Sequence, residues 1–148
     1  MARLLVGAAL TVAVTLGAVG CAAQPDLKAI VDTGASYTAA QVEQSARAGA
    51  LGAVSAMKTE QGPAERQKAL AQLRRSGTEG ARTADLLTKI FPVDTTAVPV
   101  RIEHATVDGG DALIVLEAAP GKAGTLTTRR LWVLGYQDGS VVDSASFR

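Results

Sequence analysis

The chain has one cysteine, one histidine and few aromatic residues: one tryptophan, two tyrosines and two phenylalanines. A lone cysteine, Cys21, excludes an intramolecular disulfide framework, so stability must come from the burial of apolar side chains. A lone histidine, His104, makes a Ser/His/Asp triad hard to build, and no partner lies at metal-ligand spacing from it. Neither a phosphate-binding loop nor a nucleophile elbow is present. The sequence therefore predicts no metal site and no cofactor.

Neither sign of charge is in clear excess, with 15 Lys and Arg residues against 14 Asp and Glu residues. Binding of nucleic acid requires a basic footprint, so a nucleic-acid partner is not expected. A membrane-spanning helix needs about 20 apolar residues. The polar segment Gln24-Pro25-Asp26 interrupts the N-terminal apolar run too early for a comfortable span.

The first twenty residues have the pattern of a signal peptide. Arg3 supplies the positive charge, and residues 4–16 form an apolar segment within the range of about 7–15 residues typical of secretory signals. The four residues that end at Cys21, Ala-Val-Gly-Cys, then resemble a bacterial lipobox, although leucine is commoner at Ala18. The resemblance implies cleavage before Cys21, lipidation (such as palmitate) of this residue, and a lipid anchor on the extracytoplasmic side of the cell membrane.

After Cys21 we expect a short, turn-rich tether as far as residue 37 and a single domain over residues 38–148. A capping box of Thr38 and Gln41 predicts the start of the first helix, whose stripe of small apolar residues continues to Met57.

A second helical region lies between Pro63, which suits the first position of a helix, and Pro92, which ends it. Two glycines in its middle favour two helices, over 63–75 and 80–90, although a single helix stays possible.

From Val98 the apolar period changes to two, which predicts strands over 98–107, 112–119, 125–136 and 141–147. Asp-Gly pairs between the strands predict tight hairpins. The expected fold is therefore α+β: two or three N-terminal helices on one face of a curved four-stranded antiparallel meander, a cone-like roll. The register of the first hairpin stays open, because a turn one residue later would move every side chain to the other face.

The segment Arg130-Leu131-Trp132-Val133, followed by Asp138-Gly139-Ser140-Val141-Val142-Asp143, resembles the nuclear transport factor two-like superfamily. It is similar in particular to small exported proteins associated with mammalian-cell-entry lipid importers of high-GC bacteria. The resemblance implies a pocket between sheet and helices that serves binding, dimerisation or occasionally catalysis. The chain departs from the family pattern where a tryptophan usually follows the turn and a valine stands here.

The last hairpin supplies the candidate binding residues. A two-residue turn at Asp138-Gly139 predicts four cross-strand pairs on one face: Tyr136 with Val141, Leu134 with Asp143, Trp132 with Ala145, and Arg130 with Phe147. We therefore predict that one wall of an apolar pocket consists of Trp132, Leu134, Tyr136, Asp143 and Phe147. Asp143 would be its polar contact, or alternatively a structural carboxylate that ties the hairpin together.

Asp32 and His104 are the two other candidate functional residues. Asp32 lies in the string Ala29-Ile30-Val31-Asp32-Thr33-Gly34-Ala35-Ser36, which resembles the catalytic loop of retropepsin-like aspartic proteases, in which two aspartates share a proton across a dimer. That fold needs strands before the loop, for which the chain has little room, so we favour a polar turn. His104 is expected opposite Leu113 on an apolar face, as a satisfied core residue.

These patterns favour a non-enzymatic envelope lipoprotein that binds an apolar small molecule, a lipid or a partner protein. One alternative is a structural module with a filled core that dimerises or docks. Another is a small enzyme, either an isomerase or dehydratase that uses Asp143 and Tyr136, or a dimeric protease that uses Asp32.

Overall fold

The computed structural model describes residues 28–92 and 95–148. Their α-helices and strands are, in chain order, β1 (Lys28–Tyr37), α1 (Ala39–Ala48), α2 (Gly62–Arg75), α3 (Thr78–Ile90), β2 (Val98–Val107), β3 (Gly110–Ala119), β4 (Thr128–Gly135) and β5 (Val141–Phe147). The predicted signal peptide, Cys21 and the first part of the predicted tether lie outside the described residues. None of the helices described is both long and apolar enough to cross a membrane.

The strands form one mixed sheet in the order β1-β2-β3-β4-β5. β1 runs parallel to β2, and the other neighbours are antiparallel. The fold is α+β as expected, but the predicted four-stranded antiparallel meander is wrong, because residues 28–37 form a fifth strand instead of a tether. The polar composition of β1 is typical of a turn, but an edge strand needs only one partner, and Asp32, Thr33 and Ser36 reach solvent there.

The first hairpin has the predicted turn. Asp108 and Gly109 have φ angles of 48° and 83°, which fits a type I′ turn, and His104 pairs with Leu113. The register that the sequence left open is therefore the one set by Asp108-Gly109.

The second hairpin has a register that differs from the prediction. Its loop is longer than two residues: the Gly135 amide donates to the Ser140 carbonyl at 2.8 Å, and the Asp138 carboxylate accepts from the Ser140 amide at 3.0 Å. The Ser140 amide and the Ser140 hydroxyl both donate to the Asp138 carboxylate, and these two bonds lower the pKa of Asp138. Val142 is an extra residue in β5, between the partners of Leu134 and Val133. From Asp143 onward the pairing is therefore displaced by one residue from the predicted register, and these β5 side chains lie on the face opposite to the predicted one.

The actual β4–β5 pairs differ from the four predicted. Leu134 pairs with Val141, and Trp132 with Ser144. Asp143 pairs with Val133, and Phe147 with Arg129. The predicted single wall is therefore divided between the two faces of the sheet.

Helices cover both faces of the sheet, not one. On one face, which we call the α2–α3 face, Arg66 of α2 bonds to Glu117 of β3. On the other, which we call the α1 face, the Arg129 side chain donates to the carbonyl of Gly49 at the end of α1, at 2.6 Å. The sequence carries a sign of this arrangement, because residues 112–119 are apolar almost without interruption and all are buried, as in strands covered on both sides.

The helix predictions are largely confirmed. Thr38 and Gln41 form the capping box, and two separate helices occupy 62–75 and 78–90, with Pro63 in the first turn of α2. The first helix ends at Ala48 instead of continuing along the stripe to Met57. At Gly49, an added Cβ would lie 2.8 Å from the Leu116 Cδ2 atom, so the absent side chain lets the chain turn close to the sheet.

Candidate functional site

The five predicted binding residues do not come together. Leu134 is fully buried on the α2–α3 face and Phe147 is buried on the α1 face beneath the Arg47 guanidinium, 4.5 Å from the ring centre. Asp143 is half-buried, and its Oδ1 atom accepts a bond from the neighbouring Ser144 amide. Neither Trp132 nor Tyr136 bonds to it in the part of the chain that the structure describes.

Trp132 belongs instead to a buried polar cluster on the α2–α3 face. Its Nε1 donates to Glu117 Oε2 at 2.9 Å, and its ring lies 5.0 Å from that of Phe91. Arg66 Nη1 donates to the other Glu117 oxygen at 2.6 Å and to the Ala97 carbonyl at 2.9 Å. Since Arg66 is 2% exposed and Glu117 0%, this cluster ties α2 to the sheet rather than facing a ligand.

Tyr136 and His104 form a second polar cluster at the end of the same face. Their rings stack at 3.9 Å, and the Tyr136 hydroxyl donates to Glu79 Oε1 at 3.0 Å. Burial, followed by this bond to Glu79, raises the pKa of Tyr136. His104 Nε2 lies 2.6 Å from Asp111 Oδ1. The prediction of a satisfied core histidine is therefore partly wrong, because the His104 Nδ1 atom has no hydrogen-bond partner among the described residues.

Asp32, the aspartate of the protease-like string, lies beside this cluster. Its Oδ2 atom is 3.9 Å from His104 Nδ1, and its Oδ1 accepts from the Gly34 amide. The string Asp32-Thr33-Gly34 runs within strand β1, so the favoured interpretation as a plain turn is wrong. Within residues 28–92 and 95–148, no group of three or more His, Cys, Asp or Glu side chains is arranged to hold a metal ion.

A groove lies on the α1 face, between α1 and the sheet. Helix α1 contributes Val42, Ser45 and Ala46, and the sheet contributes Ile114, Leu116 and Leu131. The space inside is about 30 Å³, against the roughly 300–1,000 Å³ of sites that enclose a whole drug-sized ligand. The groove therefore suits a short apolar group, such as the end of a chain, more than a complete lipid.

Why the groove exists follows from the sequence of α1. Its sheet-facing positions hold Val42 and Ala46, which are short side chains, and the helix stops at Gly49 after ten residues. The sheet beneath it presents larger side chains, Leu116 and Leu131. The short side chains of α1 therefore do not fill the space between the helix and the larger side chains of the sheet, and the groove is left between them.

One end of the groove is polar and is lined by Tyr37, Arg101 and Glu103. The Glu103 carboxylate is buried, and it accepts hydrogen bonds from the Tyr37 hydroxyl at 2.8 Å, the Thr33 hydroxyl at 3.0 Å and Arg101 Nη2 at 2.5 Å. The bond to Glu103, followed by burial, raises the pKa of Tyr37, so its phenol stays a donor. Three donors fix the carboxylate, and it in turn fixes Arg101.

Sequence reasoning missed this site. Arg101 and Glu103 are two residues apart in β2, so they share a face, but the apolar pattern of β2 pointed to the opposite face, which holds Ile102 and His104. Tyr37 fell within the expected tether. A charged pair at positions i and i+2 inside an otherwise apolar strand was the available signal.

Comparison with known proteins gives no family assignment: no family model matches the chain, and neither a curated protein nor a solved structure matches it. The resemblances to lipoprotein leaders and to the nuclear transport factor two-like superfamily therefore stay predictions.

Proposed function

We propose that this chain is a non-enzymatic lipoprotein of the bacterial cell envelope, whose folded domain binds a small apolar ligand at the outer face of the cytoplasmic membrane. The groove on the α1 face is the observation that carries the proposal, since its apolar walls meet a fixed polar group at one end. This places the proposed site on the face opposite Trp132, Leu134 and Tyr136.

The anchor in this proposal is the lipobox-like Cys21, and the start of β1 limits how far the domain stands from the membrane. From Cys21 to Lys28 the chain spans at most about 25 Å when fully extended. A domain on so short a connection stays near the lipid surface, where apolar ligands concentrate.

Native mass spectrometry of the full chain, purified gently from a bacterial host, tests the proposal. We expect an apolar small molecule to copurify with the wild type and to be lost from Ala46→Leu, which fills the groove with three extra carbon atoms. Ala48→Leu is the matched control, because Ala48 is exposed on the same helix.

A ligand that copurifies equally with both variants would place binding elsewhere, and the absence of any ligand from the wild type would contradict the proposal. Circular dichroism of Ala46→Leu checks that overpacking, which costs typically 1–3 kcal/mol, has not unfolded the domain.

A second candidate function is self-association through the edge strand β5. Val141 and Val142 are 52% and 63% exposed, and this strand contains neither the lysine nor the proline that commonly protects a sheet edge. A second copy of the chain would pair its own β5 here. Light scattering at increasing concentration tests this, with a dimer expected for the wild type and a monomer for Val142→Lys; a monomeric wild type would contradict it.

A further inference from the structure

Among the described residues that line the groove, Arg101 is the single cationic side chain. Its side chain is 44% exposed, whereas that of its partner Glu103 is 4% exposed. The guanidinium therefore lies at the boundary between the apolar groove and solvent, with its position set by a buried carboxylate.

The guanidinium has hydrogen-bonding capacity left over. Arginine carries five N–H donors, and in the described part of the chain its hydrogen-bonded partner is Glu103, through Nη2. A planar fork of donors suits a second carboxylate, which it binds through two parallel bonds. Arg101 is thus an oriented donor at the mouth of an apolar space.

Glu103 does not compete for the ligand. Its oxygens accept from Thr33, Tyr37 and Arg101, so its charge is compensated by three donors within the protein. A cationic ligand would have to replace one of these bonds and would also approach the Arg101 charge, which repels it.

We propose that the groove takes part of the short apolar chain of an amphiphile with a terminal carboxylate, this part packed against Ala46 and Leu116 and the carboxylate paired with Arg101. This inference rests on the proposed function and specifies the chemical class of the ligand. It makes Arg101 the residue that sets specificity, while the apolar walls supply binding that does not distinguish head groups.

The test compares three probes with the same six-carbon chain: hexanoate, hexanol and hexylammonium. Each is titrated into the full chain held in lipid nanodiscs, and the amide NMR signals of Val42, Ala46 and Leu131 report occupancy of the groove. Empty nanodiscs correct for partition into the lipid. We expect hexanoate to bind about tenfold or more tightly than the other two, as a charge-assisted hydrogen bond allows.

Three variants assign the preference to a residue. Arg101→Gln should lose the preference for hexanoate, and Arg75→Gln, whose position is exposed at the end of α2, should retain it. Ser45→Glu adds a negative charge at the groove without removing the Arg101–Glu103 pair, and it should lower the affinity for hexanoate more than the affinity for hexanol.

The outcomes separate the two proposals. Equal binding of hexanoate and hexanol, or a preference that survives in both Arg101→Gln and Ser45→Glu, would overturn the inference and leave the apolar groove in place. If none of the three probes shifts the groove signals, the proposed function itself fails.

Discussion

The two faces of the sheet each bury one glutamate, but they provide its cation in different ways. On the α2–α3 face both Glu117 and Arg66 are enclosed by protein, with 0% and 2% exposure. On the α1 face Glu103 is equally buried, yet Arg101 is 44% exposed beside the groove. A cation that solvent reaches is also a cation that a ligand reaches, so the first pair holds the fold together and the second is available for binding.

Helices also cover the α2–α3 face more completely than the α1 face. Two helices of 14 and 13 residues cover the α2–α3 face, with Leu70, Leu73 and Leu87 all fully or almost fully buried. A single helix of ten residues covers the α1 face and buries only Val42 and Ala46. Incomplete cover by a short helix with small side chains is what leaves room for a site.

Among the variants that test the contrast between the two glutamate–arginine pairs, Arg66→Met should cause the largest loss of stability. Removing the cation leaves the Glu117 carboxylate charged and enclosed, which typically destabilises a protein by about 3–5 kcal/mol. Arg101→Met is the matched variant on the α1 face. Its cost should be about 1–2 kcal/mol, because Glu103 retains the hydroxyl donors of Tyr37 and Thr33. Urea denaturation measures both, and equal losses would contradict the comparison.

A smaller difference is expected between two leucine truncations in β3. Leu113 is 1% exposed on the α2–α3 face, and Leu116 is 4% exposed beside the groove. Leu→Ala in a core costs about 2–5 kcal/mol. Leu113→Ala should fall in the upper part of that range and Leu116→Ala in the lower part, because Leu116 already lacks some neighbouring atoms. Thermal unfolding of both variants gives the ranking, and the reverse order would indicate that the groove is tightly packed.

The smallest effect concerns alkaline pH. Tyr37 and Tyr136 lie on opposite faces, and both have a pKa raised above the ordinary value of 10.0. Because the pKa of each tyrosine is higher in the folded state than in the unfolded state, the free energy that its neutral phenol contributes to stability is fully present below about pH 10. It is lost as the pH rises through the folded pKa. Tyr37→Phe and Tyr136→Phe should each flatten the fall in stability above pH 10, in denaturation curves recorded between pH 8 and pH 11.

Absorbance of the phenolate gives an independent check, since each single variant leaves one tyrosine to titrate. A midpoint at or below 10.0 for either remaining tyrosine would contradict the hydrogen bonds to Glu103 and Glu79 as the cause.

Local signals in the sequence predicted much of the fold. The capping box at Thr38, the proline at position 63 and the Asp108-Gly109 turn each depend on backbone geometry within a few residues, and each is where the sequence placed it. Strands β2 and β5 have the predicted bounds. The prediction of a tether at residues 28–37 was wrong, because strand β1 pairs with β2 across about seventy residues of sequence. The polar composition of this segment does not indicate a distant pairing partner.

The candidate site was predicted less well, because its composition depends on register and on the position of a helix. The Asp-Gly pair at 138–139 correctly marked a turn, but the longer loop and the register shift at Val142 moved Asp143 and Phe147 away from Trp132. Since side chains alternate along a strand, a one-residue error exchanges the two faces. The grouping of Tyr37, Arg101 and Glu103 required β1 to lie beside β2, which the sequence did not indicate.

The sequence by itself determined where the first two helices begin and where the first hairpin turns, because caps, prolines and positive-φ turns are properties of a few adjacent residues. It also predicted strand β3, through its apolar run, but not the cover of both its faces by helices. Only the tertiary structure decided which side chains share a face and which glutamate has a solvent-accessible partner. Those properties depend on contacts between distant segments, and a register shift of one residue moves the side chains of a strand to the opposite face.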